Sequence, residues 1–198
     1  MTGSVVHQLE GADGAFRAVV LEAEADLANP PCAAVYGEPS DGCPVRVHSR
    51  CLYGEVFEST DCDCLWQLRE SRRIIREHGS GVLVYLDQEG RGAGLVAKAK
   101  GLQLSQKEDL DTFASYAALG YKADTRSYED AAALLKQLGL GKVTLLTNNP
   151  AKVYALEVGG IEVEMQQLVP PDLTDTALKY LVAKEIHGHA ILPNKLPA

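Results

Sequence analysis

The chain has 198 residues, 46% of them hydrophobic, and carries 27 acidic against 19 basic side chains, a formal net charge of -8. This composition suffices for a buried core and argues against a surface that follows the phosphates of DNA or RNA, which needs many Lys and Arg residues. No apolar run reaches the roughly 18 to 20 residues of a membrane helix, and residues 1–10 lack the pattern of a secretion signal. We therefore expect one cytoplasmic domain over residues 1–198, without nucleic-acid or membrane partners.

The first third of the chain has the residue pattern of short β-strands. Strand-like runs occupy 16–21, 33–36 and 45–48, and the stretch 37–42 between two of them is rich in turn residues. This pattern predicts an antiparallel region.

From Cys64 onward the apolar residues change to a helical period. Apolar side chains among charged ones up to His78 and Gly79 predict an amphipathic helix, and 81–86 predicts a strand. The later elements alternate, with helices predicted at 131–138, 151–158 and 177–186 and strands at 142–146 and 161–166. This alternation indicates α/β units in the second half of the chain.

The five cysteines are spaced in a way that favours a metal site over a disulfide framework. Cys51 is followed by the pair Cys62 and Cys64, so three thiols meet if the intervening segment folds back. A catalytic zinc has three protein ligands and keeps a fourth position open, whereas structural zinc has four. The alternative is that these cysteines are small buried apolar residues, which is the favoured interpretation for Cys32 and Cys43.

A glycine-rich segment, 88–94, follows the strand 81–86 and precedes a predicted helix. Its three glycines let backbone N–H groups approach a phosphate, and Arg91 adds a planar donor. The segment does not fit the dinucleotide motif, because Asp109 and Asp111 do not follow a strand. A flexible turn is the alternative.

A second candidate anion site is predicted where the strand 142–146 meets the next helix. Asn149 suits the N-cap and Pro150 the first helical position, so capping alone explains both residues. Thr147 and Lys152 are left as candidate ligands for an anion at the helix N-terminus.

Asp124 and Arg126 lie in a short polar segment after Gly120 and Tyr121. By themselves they fit a surface ion pair, the usual role of such neighbours.

Several short motifs follow one another in a specific order. They are Arg46-Val47-His48-Ser49, Cys51, Cys62-Asp63-Cys64, Gln67, 88–92, Asp111-Thr112, Asp124 with Arg126, 146–150 with Lys152, and Tyr180-Leu181, Lys184 and Gly188-His189. In order and spacing the chain resembles GTP cyclohydrolase II over about residues 12–190.

The resemblance implies a zinc hydrolase that opens the imidazole ring of a guanine nucleotide, as in the first step of riboflavin biosynthesis. Cys51, Cys62 and Cys64 hold the zinc, whose water adds to C8 of the purine. Formate and pyrophosphate leave, with magnesium assisting at the phosphates. Asp124 is the proton acceptor, and Arg126 acts at the α-phosphate. We favour electrostatic stabilisation for Arg126, because a guanidinium stays protonated and is a poor nucleophile.

The same resemblance implies a single α+β domain with mixed sheets and flanking helices, assembled as a homodimer. It also assigns a set of nucleotide-binding residues. They are Arg46, Val47, His48, Ser49, Arg50, Gln67, Glu89, Gly90, Arg91, Thr112, Thr147 and Lys152.

The chain departs from the family pattern at three places. Arg50 stands where an acidic residue usually precedes the first zinc cysteine, which reverses a charge beside the metal. The segment 113–116 replaces Val-Glu-Ala-Asn. An expected active-site tyrosine is replaced by Leu102, or by Gln103 if a one-residue insertion falls differently.

Two alternatives follow from these departures. One is a diverged paralogue that takes another nucleotide or retains the formyl group on its product. The other is a zinc-stabilised binding module without catalysis, against which the retention of Asp124, Arg126 and three thiols counts. The zinc nucleoside deaminases are disfavoured, since the chain has no His-x-Glu with a later Pro-Cys-x-x-Cys.

Overall fold

The computed structural model describes residues 3–12, 14–22, 29–108 and 110–170. The predicted helix 177–186 and the motif from Tyr180 to His189 lie outside these residues. The chain divides into two compact units. Unit 1 comprises Met1–Ser49, Gln67–Asp87 and Ser127–Leu168, and unit 2 comprises Arg50–Trp66, Gln88–Arg126 and Val169–Ala198. A single domain over 1–198 stays a prediction.

Unit 1 contains a seven-stranded mixed sheet with the strand order β1-β2-β3-β5-β4-β6-β7. The strands are β1 (Ser4–Gly11), β2 (Gly14–Leu21), β3 (Cys32–Tyr36), β4 (Pro44–Ser49), β5 (Gly81–Leu86), β6 (Lys142–Leu146) and β7 (Glu162–Gln166). Antiparallel pairing joins β1, β2, β3 and β5, whereas β4 is parallel to both β5 and β6, and β6 is parallel to β7. The mixed sheet predicted from the family resemblance is confirmed.

The antiparallel region predicted for the first third holds for β2 and β3 but not for β4. Five of the six residues of β4 are buried, since the strand lies between two others and is covered on both faces. The sequence analysis missed β1, because all eight of its residues are exposed and it has no buried face to give a hydrophobic period.

Three helices agree closely with their predicted positions, namely those that begin at Cys64, Glu129 and Pro150. The helices are α1 (Leu52–Glu55), α2 (Cys64–His78), α3 (Leu95–Glu108), α4 (Thr112–Ala118), α5 (Glu129–Gln137) and α6 (Pro150–Val158). In unit 1 the apolar faces of α5 and α6 join the core with Leu134 and Leu156, which pack with strand residues such as Val45, Val82 and Leu145. Among the described residues, no helix is both long enough and apolar enough to span a bilayer.

Unit 2 is helical and holds α1, α3, α4 and a short 3-10 turn, Glu89–Gly92. The sequence analysis did not identify α4, whose N-cap is Asp111, with a carboxylate that accepts the Phe113 and Ala114 N–H groups. A Cβ on Gly101 of α3 would lie 2.5 Å from the Tyr116 ring, so α3 approaches α4 closely. Tyr116 is one of the departures from the family pattern, and Gly101 provides the space for it.

Candidate functional site

Cys51, Cys62 and Cys64 form one cluster in unit 2. Cys51 immediately precedes α1, Cys64 begins α2, and Cys62 lies in the loop between these helices. Their sulfur atoms lie within 4.8 Å of one another, and the Cys51 and Cys62 sulfurs are 3.7 Å apart. Zinc–sulfur bonds of about 2.3 Å in tetrahedral geometry require a sulfur separation of about 3.8 Å. The cluster can therefore hold a metal ion, and its donor atoms suit zinc.

Gly54 of α1 gives the three thiols their space. A Cβ at this position would lie 3.0 Å from the Cys62 sulfur and 3.3 Å from the Cys51 sulfur. The cysteines thus pack directly against the backbone of α1, and any side chain at Gly54 would press on two of the three sulfurs.

The three thiols perturb one another strongly. The pKa of Cys51 lies far below its ordinary value, mainly because Cys62 and Cys64 donate hydrogen bonds to its thiolate, with help from the Lys98 ammonium. The same hydrogen bond raises the pKa of Cys62 to about 11, and Cys51 likewise raises the pKa of Cys64. Three thiols at this distance ionise together only when a cation offsets their charge.

Lys98 and Glu89 extend the cluster, and the sequence analysis did not identify Lys98. The Lys98 ammonium lies 3.2 Å from the Cys51 sulfur and 2.8 Å from Glu89 Oε1. Glu89 also accepts the Leu52 N–H at 2.6 Å and the Gly90 N–H at 3.0 Å. Burial alone would lower the Lys98 pKa, but the Cys51 thiolate and the Glu89 carboxylate outweigh it and raise that pKa.

The glycine-rich segment has an unusual backbone at Gly90 and Arg91, which both adopt left-handed conformations, with φ of 59° and 57°. Such a conformation strains a residue with a side chain by about 1 kcal/mol or more. Contacts of the guanidinium hold Arg91 in place: its Cζ lies 3.4 Å from the Phe113 ring centroid, and Nη2 donates to Thr112 Oγ1 at 3.1 Å. Among the described residues, Arg91 Nη1 is buried without a hydrogen-bond partner.

Thr125 joins this segment to Asp124 and Arg126. The Arg91 carbonyl accepts both the Thr125 N–H and its hydroxyl, at 3.0 and 3.2 Å. Gly92 permits this approach, because its φ is +85° and an added Cβ would collide with the Thr125 hydroxyl. Arg126 donates to both carboxylate oxygens of Asp124. Burial acts to raise the pKa of Asp124, but the hydrogen bonds and charge of Arg126 outweigh it and lower that pKa.

Unit 2 therefore brings together the metal-ligand candidates, both catalytic candidates and part of the predicted nucleotide-binding set. Its members are Cys51, Cys62, Cys64, Asp124, Arg126, Arg50, Glu89, Gly90, Arg91 and Thr112. Unit 1 holds the rest of the nucleotide-binding set, namely Arg46, Val47, His48, Ser49, Gln67, Thr147 and Lys152.

In unit 1, Arg46 of β4 is the centre of a buried polar network. Its guanidinium donates to the Leu146 carbonyl at 2.9 Å and to Gln67 Oε1 at 2.7 Å, and Nη2 lies 3.4 Å from His48 Nδ1. The His48 ring stacks on Tyr85 with centroids 5.9 Å apart. Arg46 and His48 are only 4% and 1% exposed, so folding positions them before any ligand binds.

Lys152 is a second buried cation of unit 1. Its ammonium donates to the Val47 carbonyl at 2.7 Å and lies 5.3 Å from the Tyr128 ring centroid. Asn149 is the N-cap of α6, as predicted, and also donates to the Tyr128 hydroxyl at 3.2 Å. The Thr147 hydroxyl accepts the Asn149 N–H at 3.0 Å. These contacts fix the turn that carries Thr147 and Lys152.

The structure also bears on the expected tyrosine near position 102. Leu102 is half-buried on α3, one helical turn after Lys98 and on the same face, whereas Gln103 is exposed. Of the two candidate positions for the expected tyrosine, Leu102 is therefore the one on the same face of α3 as Lys98.

The sequence matches the family model described as GTP cyclohydrolase II over residues 4–168, a range that includes segments of both units. The chain is 43% identical over 152 residues to a GTP cyclohydrolase-2 from Actinobacillus succinogenes, with 76% of this chain and 69% of that one covered. It is 42% identical over 154 residues to a GTP cyclohydrolase-2 from Azotobacter vinelandii, with coverages of 77% and 74%.

A riboflavin biosynthesis protein RibBA from Chlorobium phaeovibrioides is 42% identical over 193 residues, which is 95% of this chain. The chain spans only 46% of the length of that relative. The match to the family model and the two similar GTP cyclohydrolase-2 proteins agree with the motifs and with the cysteine cluster. The chain belongs to the GTP cyclohydrolase II family.

Proposed function

We propose that the protein is a zinc-dependent hydrolase that opens the imidazole ring of a guanine nucleotide. The observation that carries this proposal is the cluster of three thiols within 4.8 Å of one another, in the same compact unit as the Asp124–Arg126 pair. A binding module needs a metal only for its fold, whereas this unit also contains a carboxylate and a guanidinium suited to proton transfer and phosphate binding.

Zinc, when bound by Cys51, Cys62 and Cys64, supplies a Lewis acid that activates water for attack on the purine carbon. Asp124 accepts a proton in the reaction. Arg126 binds the α-phosphate and stabilises its charge. The Arg126 guanidinium donates three hydrogen bonds to the Asp124 carboxylate. If the guanidinium moves to a phosphate of the substrate, the carboxylate loses these bonds and becomes a stronger base.

The chain carries a net charge of -8, so a polyanionic nucleotide must be held by local positive charge. Arg91 is suited to this role because its guanidinium is restrained by Phe113 and retains a buried donor without a partner among the described residues. The family resemblance assigns Arg46 and Lys152, two buried cations of unit 1, to nucleotide binding as well. Magnesium at the phosphates, release of pyrophosphate and a homodimeric, cytoplasmic enzyme complete the proposal.

The direct test is incubation of the purified, zinc-loaded protein with GTP, GDP and GMP, with product masses determined by mass spectrometry. We expect a ring-opened product from GTP and loss of turnover in Asp124→Asn, which retains the shape of the side chain but cannot act as a base. Asp130→Asn, an exposed position on α5, is the matched control. Normal turnover by folded Asp124→Asn would remove this residue from the mechanism.

A second candidate reaction stops after ring opening and keeps the formyl group on the product. Leu102 favours it, because an aliphatic side chain occupies the half-buried helix position that faces the same side as Lys98. Release of formate is a separate hydrolysis that needs a donor or acid near the formamide, and leucine provides neither. A formate assay beside the mass measurement distinguishes the two outcomes.

A further inference from the structure

Lys98 is a half-buried ammonium whose position the proposed reaction leaves unexplained. It lies on α3 with its side chain 17% exposed, and its Nζ is 3.2 Å from the Cys51 sulfur. The charge also lies over the face of Tyr53, 4.7 Å from the ring centroid. An amine held within hydrogen-bonding distance of a candidate metal ligand acts on that ligand directly.

Glu89 holds the ammonium in this position. Its side chain is 7% exposed, and its carboxylate accepts the Leu52 and Gly90 N–H groups as well as the Lys98 ammonium. Because two of these donors belong to the backbone, the carboxylate is fixed by the fold. Lys98 is thereby anchored on one side and directed toward Cys51 on the other.

The charges explain why an ammonium is needed here. Three thiolates and one divalent cation leave a net negative charge in a largely buried cluster, and the Glu89 carboxylate adds another. Without Lys98 these charges would repel one another in surroundings that screen them poorly. An N–H donor on a thiolate also withdraws electron density from sulfur, which leaves the metal a stronger Lewis acid.

We propose that Lys98 is a positioning residue of the metal centre: its ammonium orients the Cys51 sulfur and offsets the negative charge of the three thiolates. This inference rests on the zinc-binding part of the proposed function. Glu89 acts through Lys98, because its carboxylate accepts a hydrogen bond from the ammonium and so fixes the position of the ammonium.

The test measures metal binding rather than turnover. Metal-free protein is titrated with zinc in competition with a chromophoric chelator of known affinity, and cobalt(II) replaces zinc in a parallel spectroscopic titration. We expect Lys98→Met to weaken zinc binding about 10- to 100-fold and Lys98→Arg to recover most of that loss. Lys100→Met, an exposed lysine of the same helix, is the matched control and retains wild-type affinity.

Cobalt reports on the sulfur itself. Removal of the N–H···S contact raises the energy of the sulfur lone pair, so the sulfur-to-cobalt charge-transfer band of Lys98→Met moves to longer wavelength. A purely structural role for Lys98 would leave this band unchanged. If Lys98→Met does not fold, as judged by circular dichroism, Lys98→Gln removes the charge in a polar side chain and is expected to lose about 10-fold in affinity.

The outcomes separate the two proposals. Tight zinc binding by the wild type, with equal affinity and an unshifted cobalt band in folded Lys98→Met or Lys98→Gln, would overturn the role of Lys98 and leave the zinc site intact. Failure of the wild-type protein to bind zinc would overturn both.

Discussion

Arg126 binds both carboxylate oxygens of Asp124, with Nε 2.9 Å from Oδ1 and Nη2 2.5 Å from Oδ2. The proposed phosphate ligand and the proposed proton acceptor are therefore hydrogen-bonded to each other. While the pair persists, the ionised form of Asp124 is stabilised and the carboxylate is a weak base. The proposed reaction requires this pair to separate.

The pair predicts that Arg126→Met raises the pKa of Asp124 toward the ordinary carboxyl value. Since the folded-state pKa is lowered, the pair contributes stability above the ordinary value of about 3.9, and that contribution is lost as pH falls through the lowered pKa. Carbon-13 titration of labelled aspartate measures the change, with Arg73→Met, in a surface ion-pair cluster on α2, as the control. An unchanged Asp124 pKa would show that Arg126 does not set it.

Cys62→Ser is expected to lose most of the bound metal, because a serine hydroxyl is a far poorer ligand for zinc than a thiolate. Wild-type protein should contain one zinc per chain by elemental analysis. Cys32→Ser is the matched control, since Cys32 is a half-buried thiol of β3 outside the cluster. A full complement of zinc in Cys62→Ser would contradict the assignment of the ligands.

Gly54→Ala tests whether the cysteine cluster needs the space that Gly54 leaves beside its sulfur atoms. The added methyl group would lie 3.0 Å from the Cys62 sulfur, closer than real Cβ contacts tolerate comfortably. Overpacking of this kind costs about 1–3 kcal/mol, and we expect both weaker metal binding and a lower free energy of unfolding. Gly141→Ala, whose Cβ would have neighbours only at 3.8 Å, is the control. Wild-type metal affinity in Gly54→Ala would mean that the cluster relaxes freely.

Phe113→Ala is expected to release the Arg91 guanidinium from the ring on which it lies, 3.4 Å from the centroid. A cation–π contact contributes about 0.5–2 kcal/mol, so KM for the nucleotide should rise by about 2- to 30-fold with a smaller change in kcat. Phe113→Tyr keeps the ring and should restore the wild-type KM. If Phe113→Ala leaves KM unchanged, the aromatic contact does not position Arg91 for the substrate.

Leu102→Tyr tests whether Leu102 determines that the formyl group stays on the product. If the protein retains the formyl group, a hydroxyl restored on this face of α3 should increase formate release relative to ring opening, since one positioned donor or acid changes a rate by about 100-fold. The measurement is formate released per ring-opened nucleotide, with Gln103→Tyr as the control on the exposed neighbouring position. Stoichiometric formate from the wild type would show that Leu102 leaves the second hydrolysis intact.

Most of the elements were predictable because their hydrophobic periods were clear. The strand at 81–86 and the strand at 142–146 have the same bounds in the structure, and the cap at Asn149 follows from residue type alone. The exposed strand β1 and the short helix α4 were missed, since neither has an extended apolar face. The parallel pairing of β4 depends on contacts distant in sequence, and local patterns carry no information on these.

The candidate site was predictable to the extent that its residues form motifs. Cys51, Cys62 and Cys64 meet as their spacing predicted. Lys98 could not be identified, because nothing in the local sequence distinguishes it from Lys100 two residues later. Only the fold shows that one of these lysines reaches Cys51 while the other remains exposed.

The bond from Arg46 to the Leu146 carbonyl joins residues 100 positions apart in the chain. The pairing of β4 with β6, where Val45 lies opposite Leu145, spans the same distance. Closing so long a loop costs conformational entropy before the contacts at its ends can form. Folding rates fall as the number of such distant pairings increases. Since the Leu146 acceptor lies on β6, we expect the buried Arg46 network to be complete only after β6 has paired with β4 during folding.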